Sequence, residues 1–160
     1  MRTLILGYGN LDRQDDGVAW HILSALKKSL NLPFPEVIDE DFDSIEDNLL
    51  VFQLQLTPEQ AESIANFDRV CFIDAHTGAI PEDVRFDQLV PDFQHSPLTH
   101  HLTPNSLLSI IQTIYNKDIE AVLLSVRGYE FEFSQDLSER TKKLVSRAVK
   151  LIQEWLDKSD

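Results

Sequence analysis

Apolar residues fall in two rhythms along this chain. Short unbroken runs at Leu4-Ile5-Leu6, Leu49-Leu50-Val51-Phe52, Val70-Cys71-Phe72-Ile73 and Ala121-Val122-Leu123-Leu124 have the length of strands buried on both faces. Between them the spacing changes to three and four. Ala19, Ile22, Leu23, Leu26 and Leu30 share one helical face, with Lys27 and Lys28 opposite, and the helix should end near Asn31, ahead of Pro33. Ala61, Ile64 and Ala65 predict a second helix, and Leu107, Leu108, Ile111, Ile114 and Tyr115 an inward stripe on a third. Leu144, Val145, Ala148, Val149, Ile152, Trp155 and Leu156 mark a long closing helix.

Helix starts are written into the polar positions. Thr57-Pro58-Glu59-Gln60 offers an N-cap, a first-turn proline and a capping-box glutamine. Thr103-Pro104 repeats the cap and the proline. Residues 35–39 read as a short strand, 40–47 as a solvated acidic loop, and 84–89 as a strand at the sheet margin. Strands alternate with helices throughout. That alternation predicts an α/β fold, a three-layer α/β/α sandwich around a mainly parallel twisted sheet, with residues 1–160 as one domain.

The polar residues that follow strands are few. The first strand runs into Gly7-Tyr8-Gly9-Asn10, and Asp15 and Asp16 stand just before the first helix. One acid there can cap the helix; capping explains one better than two. The turn lacks the third glycine of a dinucleotide fingerprint, having Asp12 in its place, and three acids would repel a pyrophosphate. Asp74 closes the apolar run at 70–73, with Ala75-His76-Thr77-Gly78 expected as a loop. If the strands are parallel, that acid lies at the same sheet edge as the first turn; its structural alternative is a turn cap. His100 and His101 precede the Thr103 helix start on a loop. Asp15 or Asp16, Asp74 with His76, and His100 or His101 thus supply oxygen and nitrogen donors of the kind that hold divalent first-row metals. Residues 127–136 alternate aromatics with acids, as an edge strand, a lid or a wall of a substrate groove would.

Composition narrows the classes. A net charge of −13 argues against nucleic acid and anionic membranes as partners and suits a cation or a basic polypeptide. The sole cysteine, Cys71, excludes an internal disulfide and reads as a core filler in a reducing compartment. With Met1 leading straight into a core strand, neither a signal peptide nor a spanning segment is expected, and the expected compartment is the cytoplasm. No Ser-His-Asp or Cys-His arrangement stands out.

The opening stretch, Gly7-Tyr8-Gly9-Asn10-Leu11-Asp12-Arg13-Gln14-Asp15-Asp16-Gly17-Val18-Ala19, resembles the signature of the hydrogenase maturation endopeptidases. It departs from that signature at Asp12, where an apolar residue is usual, and at Ala19, where a glycine is. The resemblance runs over essentially the whole chain. It implies an endopeptidase that trims the C-terminal extension of a nickel-iron hydrogenase large-subunit precursor after nickel insertion. It also implies that Asp16, Asp74 and His100 recognise the nickel, His100 being preferred to His101 by register. The metal would be supplied by the precursor, with another divalent ion possible in isolation, and Asn10 and Asp15 would shape the turn. The rivals are a non-proteolytic nickel-binding maturation or sensor protein of the same fold and, from a different class, a nucleotide-binding domain.

Overall fold

The structure, a computed structural model, describes residues 1–30, 47–92 and 102–158. Five strands form one sheet: β1 (Thr3–Tyr8), β2 (Asn48–Gln53), β3 (Arg69–His76), β4 (Val84–Gln88) and β5 (Glu120–Arg127). Their order is β2-β1-β3-β5-β4, parallel except for β4, which runs antiparallel along β5 at the edge. The α/β sandwich with a mainly parallel sheet is therefore as expected, and the margin strand at 84–89 is the antiparallel β4. The expected strand at 35–39, the acidic loop over 40–46 and the loop carrying His100 and His101 lie outside the described residues.

Alternation along each strand sorts the core into two layers. Ile5, Cys71, Ile73, Leu124 and Val126 pack with helices α1 (Val18–Ser29) and α5 (Val145–Asp157) on one face. Leu4, Leu6, Val70 and Phe72 pack on the other with α2 (Ala61–Ile64) and α3 (Pro104–Tyr115). Each fully buried aliphatic side chain contributes about 1.5–3 kcal/mol. The run β1-turn-α1 is tight because Gly7 has no side chain: a Cβ there would stand 2.9 Å from the Ala19 methyl. Ala19 is itself fully buried, and its methyl packs against the bare Gly7.

The helix starts fold as written. The Gln60 side chain accepts from the Thr57 N–H at 3.1 Å in a capping box over the 3-10 turn Pro58–Gln60. Thr103 Oγ1 accepts from the Ser106 N–H at 3.1 Å at the start of α3. Two details differ from expectation. β3 does not stop at Asp74; Asp74, Ala75 and His76 stay in register with Ser125, Val126 and Arg127. A neighbouring strand on β5's side holds them extended where local composition suggested a loop. Ile114 and Tyr115 are exposed rather than inward (66% and 42%). The closing helix is preceded by a separate short turn, α4 (Glu139–Lys142). Among the described residues no helix is long and apolar enough to cross a membrane.

Candidate functional site

The chain runs from β1 to β2 on one side of the sheet and later returns to β3 on the other. A crevice therefore opens beyond the C-terminal ends of β1 and β3, where ligands bind in open α/β sheets. A cavity of about 570 Å³ lies there. Its walls come from the end of β1 (Tyr8 to Asn10), the turn beyond it (Arg13, Asp16) and the segment after β2 (Leu54 to Leu56). The end of β3 (Asp74, Ala75) and the approach to α3 (Leu102 to Pro104) complete it. Asp16 and Asp74, distant in sequence, thus share one cavity. His100 and His101 lie outside the described residues, and among those described no three His, Cys, Asp or Glu side chains gather into a metal-holding group.

Strand periodicity places Asp74. Val70, Phe72 and Asp74 point to the α2/α3 side of the sheet, as do Leu4, Leu6 and Tyr8 of β1. Gly7 pairs with Ile73, so Tyr8 comes alongside Asp74, and the phenol hydrogen-bonds the carboxyl. Burial pushes the Asp74 carboxyl up to about 7, opposed by the Tyr8 hydrogen bond and reinforced by the charge of Asp16. Burial, with the Asp74 carboxylate beside it, drives the Tyr8 phenol well above its ordinary range. Tyr8 is a member of this site that sequence reasoning missed. The signal was present in the strand's alternation, which sets Tyr8 on the same face as Leu4 and Leu6.

The two adjacent acids have separate tasks, and neither caps α1 through its side chain. Asp16 Oδ2 accepts from the Asn10 N–H at 2.8 Å, closing the turn while its carboxylate borders the cavity. That closure needs Gly9: at φ +148°, an added Cβ would collide with the Asp16 carbonyl oxygen. Asp15 is fully buried. Its carboxylate accepts from the N–H groups of Tyr129, Glu130 and Ser138 at 2.8, 2.9 and 2.8 Å. It also takes the Ser138 and Thr141 hydroxyls at 2.6 and 2.8 Å. Burial alone would raise its pKa, yet these donors hold it below the ordinary carboxylate range. Asp15 therefore shapes the turn, as expected, by gripping the loop after β5.

That loop is neither an edge strand nor, among the described residues, a wall of the Asp16/Asp74 cavity. It meets the opening turn at an isolated bridge between Arg13 and Ser134 and contributes Gln135 to an adjoining depression. Asp12 is exposed, and its Oδ1 accepts from Gln135 Nε2 at 2.7 Å. His76 turns to other work. Its Nδ1 accepts from the Gly78 N–H at 3.1 Å and its Nε2 faces the Glu82 carbonyl at 2.9 Å, so both ring nitrogens serve the loop after β3. Cys71 is buried in the core, and burial raises its thiol pKa, as an inert filler requires.

No family model matches the chain. A protein of Methanocaldococcus jannaschii, whose name places it among hydrogenase maturation proteases, is 31% identical over 153 residues, 93% of this chain and 92% of that protein. Among solved structures, the NiFe hydrogenase maturation protease HycI from Thermococcus kodakarensis is 23% identical with a TM-score of 0.67. That match covers 98% of this chain and 92% of HycI. The hydrogenase maturating endopeptidase HybD from E. coli is 19% identical with a TM-score of 0.72, over 99% of this chain and 94% of HybD. These two structural likenesses bear on the fold.

Proposed function

The chain belongs to the hydrogenase maturation protease family, and on that premise we propose that it removes the C-terminal extension of a nickel-iron hydrogenase large-subunit precursor once nickel has been inserted. Asp16, Asp74 and His100 are assigned to recognising that nickel, which arrives as part of the substrate. The observation that carries this reading is the meeting of Asp16 and Asp74 in one cavity at the sheet's switch point. His100 stands two positions before Leu102, which lines the same cavity.

The donor set fits a divalent cation. Two carboxylates and an imidazole suit first-row metals, and a carboxyl that titrates near 7 gives up its proton readily when a cation arrives. The nickel carried by the precursor fixes where that precursor sits. The residues of this chain bind and orient it: Asn10 holds Asp16 through its N–H, and the Tyr8 phenol holds Asp74.

The test is intact-mass analysis of a large-subunit precursor, with and without nickel, incubated with the protein. Loss of a short C-terminal peptide only from the nickel-loaded precursor is the expected result. Asp16→Asn, Asp74→Asn and His100→Ala should each lower the cleavage rate by about 100-fold. Equal cleavage of the nickel-free precursor would overturn the metal role. Binding of the loaded precursor without cleavage would favour the non-proteolytic alternative.

A further inference from the structure

Opening a peptide bond with water places negative charge where this cavity is least suited to it. The water oxygen adds to the carbonyl carbon and the carbonyl electron pair moves onto oxygen. Collapse then breaks the C–N bond, leaving a carboxylate on one product while both protons of the water end on the released amine. The oxyanion formed on the way needs a donor or a cation, yet Asp16 and Asp74 border the same space.

Backbone amides are the usual source of such donors, and most of those in the turn are already engaged. The N–H of Gly9 goes to the Gln53 carbonyl, that of Asn10 to Asp16, and that of Asp12 to Asn10 Oδ1. Those of Arg13, Gln14, Asp15 and Asp16 go to the carbonyls of Asn10, Ser134, Glu130 and Arg13. The start of α3 also borders the cavity, but Pro104 has no N–H and that of Ser106 is held by Thr103. Arg13 is the one cationic residue among the described residues that line the cavity. It is exposed, lies 5.9 Å from the centre of the Phe131 ring, and makes no ion pair among the described residues. Its backbone is fixed relative to Asp16, whose N–H donates to the Arg13 carbonyl at 3.1 Å.

We propose that Arg13 is a catalytic residue of this chain: its guanidinium takes the scissile carbonyl oxygen as negative charge develops on it. The assignment rests on the proteolytic reading above. Arginine suits the task because it stays charged at any working pH and offers several donors in one plane.

Steady-state kinetics on the nickel-loaded precursor test it, with wild type, Arg13→Gln and Arg13→Lys compared at low and moderate salt. A charge-stabilising role predicts that Arg13→Gln lowers kcat by about 100-fold with KM nearly unchanged, and that Arg13→Lys retains an intermediate rate. Melting temperatures of both variants should match the wild type, since the side chain is exposed. A kcat for Arg13→Gln within threefold of wild type overturns the proposal. So does a rise in KM at unchanged kcat, which would make Arg13 a docking residue. If the wild type binds the loaded precursor but leaves it uncut, the proteolytic reading itself fails and the role of Arg13 fails with it.

Discussion

At Asp74, burial and the neighbouring Asp16 hold a proton that the unfolded chain would release, and the sign of the consequence follows. The folded-state value, about 7, lies above the ordinary 3.8. The folded form therefore binds more protons between those limits, and this contribution to stability, complete below about pH 4, is lost as pH rises through 7. Asp74→Asn removes the titration. Relative to wild type, the variant should gain about 1–3 kcal/mol between pH 4 and pH 8, read from urea denaturation at the two pH values. An unchanged difference would mean that the carboxyl is already ionised in the folded protein at pH 4. Asp74 was legible because it follows an apolar run, and Asp16 because it stands beside a second acid just before the first helix; the fold brings the two to one cavity. What Asp15 grips was not legible, since its partners lie at 129–141 and only the tertiary fold brings them near. Tyr8 and Arg13 escaped for another reason: a tyrosine after a strand and an arginine in a turn are ordinary until a cavity is seen beside them.

Elements were read correctly where local chemistry sets them and misread where a neighbour does. The caps at Thr57 and Thr103 are local, so they stand as written. The last residues of β3 and the last turn of α3 depend on what lies alongside, which a linear pattern does not carry. The closing helix is a further case of long-range fastening. Arg69, on β3 and 5% exposed, donates to Thr3 Oγ1 at 2.7 Å and to the carbonyls of Trp155 and Leu156 at 3.3 and 3.4 Å. Its guanidinium also stacks 4.5 Å from the centre of the Trp155 ring. A cation at those last carbonyls complements the end of the α5 dipole and satisfies acceptors that the helix leaves unpaired. Arg69→Ala should cost about 2–4 kcal/mol in chemical denaturation. A loss below 0.5 kcal/mol would show that α5 is held by its apolar face alone.

For the molecule as a whole, alternating strand and helix signals carried the layered fold, because each apolar run is buried on both faces and each helix on one. The order of strands across the sheet was not in those signals, and with it went the location of the crevice. Net charge is the other property that belongs to the whole. At −13, like charges outnumber opposite ones over much of the surface, and their repulsion weakens the compact state until salt screens it. The melting temperature should rise by roughly 2–5 °C between 20 and 200 mM sodium chloride. A flat or falling response would show that paired charges dominate.

The grip of Asp15 on residues 129–141 sets a timetable. A ribosome makes the opening turn first, yet the donors that hold that turn emerge only after most of the chain has been synthesised. Until then a carboxylate destined for the interior has only water for company. The pair bordering the cavity is thus completed late, after the sheet that carries it.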